Sequence, residues 1–170
     1  MCGIWGISDN NSGIERALLY KIMKEMMLLS ETRGKDASGV AVMQSNRLNI
    51  IRKAKSSKEL LKDSDFLYYA KKNILESNNK NIMMVGHSRL MTNGTQYIPN
   101  NNQPVAKKGL ALVHNGIIVN EDSLWDKVGK ENQEYDVDSE VILELISYYQ
   151  KNDSMKWLNR EKAIKEVCYL

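Results

Sequence analysis

Met1-Cys2-Gly3-Ile4-Trp5-Gly6 opens the chain, and the reading of these six residues decides how the rest is understood. Cys2 follows the initiator methionine directly, and a small residue in second place normally lets that methionine be removed. The mature chain then starts with a cysteine that carries both a thiol and a free α-amine. A thiol needs a base to become a nucleophile, and an α-amine with a reference pKa of roughly 8 sits close enough to neutrality to act as one. From Cys2 to Ser8 small, apolar and aromatic residues alternate as in a strand, and Asp9-Asn10-Asn11-Ser12-Gly13 reads as a turn. The reactive group would therefore stand at the start of a strand, and the rest of the chain must supply a binding site and donors for an oxyanion.

Composition narrows the class. A length of 170 residues, 42% hydrophobic and 26% charged, suits one globular domain with a sizeable core. The net charge of +3 is small, and the 24 basic residues are spread along the chain, which argues against a nucleic-acid groove. No apolar run approaches the roughly 18 residues of a membrane span, and no charged-then-apolar leader precedes Cys2. Cys2 and Cys168 make no disulfide framework, so a reducing cytoplasm is expected. With His87 and His114 27 residues apart and no ligand spacing among the four residues, neither a metal nor a cofactor is expected.

Outward from the first strand, Ile14 to Ser30 has Ile14, Ala17, Leu18, Ile22, Met26 and Leu29 at helical spacing and reads as a core-packing helix. The polar loop Thr32 to Gly39 follows, with Gly34 as an expected helix C-cap. Val40–Gln44 and Arg47–Lys53 read as a hairpin, and 56–61 and 64–75 as helices with Ser56, Ser57 and Ser64 as candidate N-caps. Ile82 to Arg89 is an apolar run ending in polar groups, read as a buried strand with chemistry at its exit. The long polar stretch from Leu90 to Pro104 favours a binding loop over a connector. Leu110–His114 runs into Asn115-Gly116, the strongest short hairpin signal, and Ile117-Ile118-Val119 would resume the strand. A short capped helix is expected at 120–125 and a longer one at 141–150 with Asp138 as N-cap. The tail from Asn159 is helical in pattern, with Cys168 packed as a small apolar residue.

Together these segments resemble the class II glutamine amidotransferases, glutaminase domains of the N-terminal-nucleophile hydrolase type. Matching motifs occur in order: Met1-Cys2-Gly3-Ile4, Arg33-Gly34-Lys35-Asp36, Gly86-His87-Ser88-Arg89 with Thr92 and Gly94, Asn102-Gln103-Pro104, His114-Asn115-Gly116-Ile117-Ile118, and Asp138-Ser139-Glu140-Val141. The resemblance implies an α+β fold, a four-layer α/β/β/α sandwich of two largely antiparallel sheets, and a chain truncated at its C-terminus. It implies hydrolysis of the side-chain amide of L-glutamine through a Cys2 thioester. The Asn115 side-chain amide and the Gly116 N–H would be the oxyanion donors, and Arg89, Thr92, Asn93 and Asp138 would bind substrate. A guanidinium fork suits the substrate carboxylate. Arg33 and Asp36 would shape the loop beside Cys2, with His87 and His114 structural.

Asn93 stands where the sugar-phosphate branch has a histidine, and Leu90 where an aromatic ring is common. His-Asn-Gly-Ile-Ile resembles the glucosamine-phosphate synthases, whereas Asn-Gln-Pro resembles the amidophosphoribosyltransferases; amino-sugar synthesis is slightly favoured. The implied partner is an acceptor (synthase/isomerase) domain or subunit, with no nucleic acid and no membrane. Two other readings are a catalytically silent glutamine-sensing or partner module and a stand-alone N-terminal-nucleophile amide hydrolase.

Overall fold

In the computed structural model, residues 2–90 and 101–152 are described, together with 164, 165 and 167. The first half is built on one antiparallel sheet. Strands β1 (Gly3–Asn10), β2 (Ala37–Gln44), β3 (Arg47–Lys53) and β4 (Asn81–Arg89) lie in the order β1-β4-β2-β3. The register pairs Gly3 with Ser88 and Ala37 with Arg89, so the start of β1, the start of β2 and the exit of β4 meet at one sheet end. The β2–β3 turn has Ser45 and Asn46 both at positive φ, the twist that a two-residue hairpin needs.

One face of this sheet is dry. Trp5, Val40, Val42, Ile82 and Met84 pack against Leu19, Met23 and Met27 of helix α1 (Arg16–Glu31). Leu60 of α2 (Ser57–Leu60), Phe66 of α3 (Ser64–Ala70) and Ile74 of the π-helical turn Lys71–Leu75 complete that core. Helix α1 turns a different stripe inward from the one its spacing suggested: Leu18, Ile22 and Leu29 are exposed. Leucine, isoleucine and methionine fill adjacent positions (Leu18-Leu19, Ile22-Met23, Met26-Met27), so two stripes one residue apart compete and only the sheet decides between them. Asp63, not Ser64, caps α3, whereas Ser56 caps α2 in a reciprocal capping box with Glu59.

Residues 101–152 cover the opposite face. A small hairpin of β5 (Val105–Lys107) and β6 (Leu110–Leu112) turns through Lys108 and Gly109, both at positive φ. Helices α4 (Glu121–Val128) and α5 (Glu140–Asn152) form the last layer, packing around Leu124, Trp125, Val141 and Leu145. The layers run helix, sheet, sheet, helix. The chain's expected strand from Ile117 to Val119 is absent; Ile117 and Val119 are exposed and 113–119 carries no ladder.

This second half also carries a buried ionic cluster. Lys107, buried on β5, places Nζ 2.7 Å from Glu140 and 3.4 Å from Glu144, donates to the Asn132 carbonyl, and lies 5.7 Å from the Trp125 ring centre. Desolvation alone would pull its pKa down; the Glu140 hydrogen bond and the charges of Glu140, Glu144 and Glu134 outweigh it and raise it. Glu140 in turn accepts the backbone N–H groups of Glu134 and Tyr135, which ties the 130–139 loop to the start of α5.

Candidate active site

Alternation along β1 and β4 sends Cys2, Ile4, His87 and Arg89 to the face away from α1. Cys2 is a free, partly buried cysteine whose thiol lies 3.7 Å from the Leu90 carbonyl. The Asn115 side-chain amide donates to the Cys2 backbone carbonyl at 3.0 Å, across 113 residues of sequence. Gly116 follows directly and, like Asn115, is exposed. Asn-Gly therefore makes no hairpin; it delivers an amide group to the head of β1.

The other expected residues fall around the same sheet end. Asp36 donates its N–H to the Arg89 carbonyl at 3.0 Å, so the start of β2 is tied to the exit of β4. Gly34 is not a C-cap: α1 closes at Thr32, and Gly34 lacks the positive φ of one. It is glycine because a Cβ there would lie 2.3 Å from the Arg89 carbonyl carbon. Arg33 is exposed beside it. The half-buried guanidinium of Arg89 donates to the Asn101 carbonyl and, at 3.0 Å, to Asn102 Oδ1. Asp138 does not cap α5, which begins at Glu140. Its carboxylate instead accepts the Ile118 N–H at 2.9 Å and the Ser139 hydroxyl at 3.0 Å. Thr92, Asn93 and Cys168 lie outside the described residues.

Residues given no site role in the sequence turn out to be central. Asn101 and Asn102 are both buried. Asn101 holds Arg89 through its carbonyl and accepts the Asp136 N–H at 3.3 Å through its side chain. Arg52 of β3 reaches the Asn102 and Pro104 carbonyls at 3.3 and 2.7 Å and lies 5.5 Å from the Tyr135 ring centre. Gln103 accepts the His114 N–H at 2.6 Å, and Ser139 stands 3.2 Å from His114 Nδ1. Composition hides such roles, because Asn-Asn-Gln-Pro reads as a run of breakers. His87 is fully buried with neither ring nitrogen hydrogen-bonded. Desolvation first, then the charges of Arg89 and His114, push its pKa down to about 4, so it is neutral at pH 7 and suited to a structural place.

Comparison with known proteins fits this geometry. Residues 87–164 match the glutamine amidotransferase domain family. The chain is a glutamine amidotransferase domain. It is 31% identical over 172 residues to the glutamine–fructose-6-phosphate aminotransferase (isomerizing) of Campylobacter jejuni, covering 98% of this chain and 25% of that protein. The same enzyme of Aquifex aeolicus is 32% identical over 162 residues, covering 92% of the chain and 24% of the relative. The amidotransferase domain thus spans about a quarter of the length of these curated relatives. Among solved structures, the glutamine phosphoribosylpyrophosphate amidotransferase of B. subtilis superposes with a TM-score of 0.60 at 20% identity, over 99% of this chain and 32% of that one. The four layers of the amidotransferase domain are those of the N-terminal-nucleophile fold. Among its described residues no helix is long and apolar enough to cross a membrane.

Proposed function

We propose that residues 1–170 form one glutaminase domain that hydrolyses the side-chain amide of L-glutamine through a thioester on Cys2. The observation that carries this reading is the 3.0 Å bond from the Asn115 amide to the Cys2 carbonyl. It sets a neutral two-proton donor, with Gly116 next in line, against the residue that bears the nucleophile. After removal of Met1 the Cys2 α-amine takes the thiol proton, and sulfur attacks the amide carbon. The developing oxyanion is met by the second Asn115 N–H and the Gly116 N–H, each such donor contributing on the order of 3 kcal/mol. Collapse expels ammonia, which receives the proton held by the α-amine. Water then cleaves the thioester, with the same amine as base, to give glutamate and the free thiol.

Arg89 receives the substrate carboxylate, held by Asn101 and Asn102 so that its fork is presented in one orientation. Asp138 receives the ammonium; a carboxylate has about four acceptor positions, and Ile118 and Ser139 occupy two. Thr92 and Asn93 contribute to substrate binding, and Arg33 and Asp36 support the head of β1. The ammonia passes to an acceptor domain or subunit in the cytoplasm, and the aminotransferase relatives favour an amino-sugar product. No cofactor is required by these steps.

The test is glutamate release from glutamine by the chain with Met1 removed. Cys2→Ala should abolish turnover yet still bind glutamine, and mass spectrometry should find the acyl group on Cys2 in the active protein. Turnover that survives Cys2→Ala would refute the assignment.

A further inference from the structure

The segment that carries the oxyanion donors is fixed at both ends by one hydrogen-bonded set. At its start, the His114 N–H donates to Gln103 Oε1 at 2.6 Å. At its end, the Ile118 N–H donates to Asp138 Oδ2 at 2.9 Å. Asn115 and Gly116 lie between, in a stretch with no strand ladder to hold them. Ser139, fully buried, joins the two anchors. Its hydroxyl has one proton, which goes to Asp138 Oδ1 at 3.0 Å, because a carboxylate can only accept. Its lone pairs then receive the Gln103 Nε2 amide at 3.5 Å and His114 Nδ1 at 3.2 Å, which fixes the Nδ1–H tautomer of His114. The ring closes: Gln103, His114, the donor segment, Ile118, Asp138, Ser139 and back to Gln103.

Gln103 is itself held by the first half of the molecule. A Cβ on Gly39, in the middle of β2, would lie 2.4 Å from the Gln103 carbonyl oxygen, so only glycine lets the sheet touch this backbone. The neighbouring Pro104 carbonyl is held by Arg52 at 2.7 Å. The backbone of Gln103 thus stands on the sheet that bears Cys2, while its side chain reaches into the loops that bear the other groups.

We propose that Gln103 is a positioning residue whose carboxamide sets the Asn115–Gly116 donors against Cys2 and couples them, through Ser139, to the carboxylate that takes the substrate ammonium. It touches no reacting atom. The assignment rests on the Cys2 glutaminase reading, and its consequence is specific: loss of the carboxamide should lower the chemical step and leave ground-state binding nearly intact. A misplacement of about 1 Å in such a site costs on the order of 100-fold in rate.

The experiment compares Gln103→Met, which keeps length and removes both hydrogen bonds, with Gln103→Glu, which keeps the acceptor for the His114 N–H. In the Met variant kcat for glutamate release should fall between about 10- and 100-fold with KM changed less than about 3-fold. The Glu variant should recover part of the loss. Ser139→Ala combined with Gln103→Met should cost less than the product of the two single effects, because both break one ring. Hydrogen exchange read at single amides should accelerate at His114 and Ile118 while β1, β2 and β4 keep their protection. A KM effect as large as the kcat effect, strictly multiplicative double-mutant losses, or unchanged exchange at His114 and Ile118 would each overturn the role of Gln103. The exchange arm needs no turnover, so it answers for Gln103 even if glutamine proves not to be the substrate; absent turnover in the unaltered chain would count against the glutaminase reading instead.

Discussion

Residues 3–89 and residues 101–152 solve the same problem, holding a few polar groups still, by opposite means. The first region is a ladder: four strands of 7–9 residues, each fully paired, over a dry core from Trp5 to Met84. The second has two strands of three residues and a smaller buried cluster centred on Leu124, Trp125, Val141 and Leu145. Cys2 and Arg89 sit at the ends of the ladder, where backbone pairing places them. Asn115, Gly116 and Asp138 sit on loops, where side chains must do the placing: Lys107 with Glu140 and Glu144, Gln103 with His114, Asp138 with Ile118. Half of the site is thus set by fold and half by buried polar contacts, which are the more sensitive to a single substitution because a lost partner leaves a buried group unpaired.

The sharpest way to break this contrast is Lys107→Met. It keeps length and apolar volume but leaves Glu140, fully buried, and Glu144, 6% exposed, without their shared cation. Removing one partner of a buried ionic set costs about 3–5 kcal/mol, far more than an exposed pair is worth. A denaturant titration should show that loss, and Lys107→Met with Glu140→Gln should recover part of it. A cost under about 1 kcal/mol would mean the second region is held by its small core after all.

The first region has its own buried polar weakness, and it is read by pH. His87 has a folded pKa pushed down to about 4 against 6.5 unfolded, so between those values the unfolded chain binds the proton and the folded chain does not. Stability from this residue is therefore complete above about pH 6.5 and declines as pH falls towards 4, by on the order of 3 kcal/mol across the window. Unfolding midpoints between pH 7 and 4 should show the decline, and His87→Asn, which titrates nothing, should flatten it. An equal slope in the variant would place the acid sensitivity elsewhere.

The same contrast explains what the sequence disclosed. The ladder was legible: alternation marked β1, hairpin pairing β3 and an apolar run β4, each to within two residues, and Arg89 does stand at the exit of that run. The head of β2 was not, since Ala37, Ser38 and Gly39 read as loop though the strand begins at Ala37. Strand β5 escaped because Val-Ala-Lys puts a lysine on its buried side, and only three distant carboxylates make that tolerable. Asn115-Gly116 was locally a hairpin and Asp138 locally a helix cap. Both readings lost to partners 113 and 20 residues away, which no local window contains. Motif order singled out Asn115 and Asp138 where periodicity could not, yet it gave Gln103 no role, since a motif records which residues recur and not what they touch.

The smallest expected effect probes the seam between the regions. Gly39 lies on the ladder, paired with His87 and Arg52, and its missing side chain is what lets the Gln103 backbone rest on the sheet. Gly39→Ala adds a Cβ 2.4 Å from the Gln103 carbonyl oxygen, 2.9 Å from the Arg52 Cβ and 3.0 Å from the Pro104 ring. The strand itself has little reason to object, since alanine suits extended backbone at least as well as glycine does. The strain must therefore fall on the 101–104 segment, which is backbone and cannot swing aside as a side chain would. Overpacking of this kind costs about 1–3 kcal/mol. If the ladder is the rigid partner and the loops yield, hydrogen exchange should quicken around His114 and Ile118 and leave β2 and β4 protected. Faster exchange within β2 and β4 instead would reverse the order of rigidity claimed for the two regions, and with it the explanation of why Cys2 is placed by pairing and Asn115 and Gly116 by side chains.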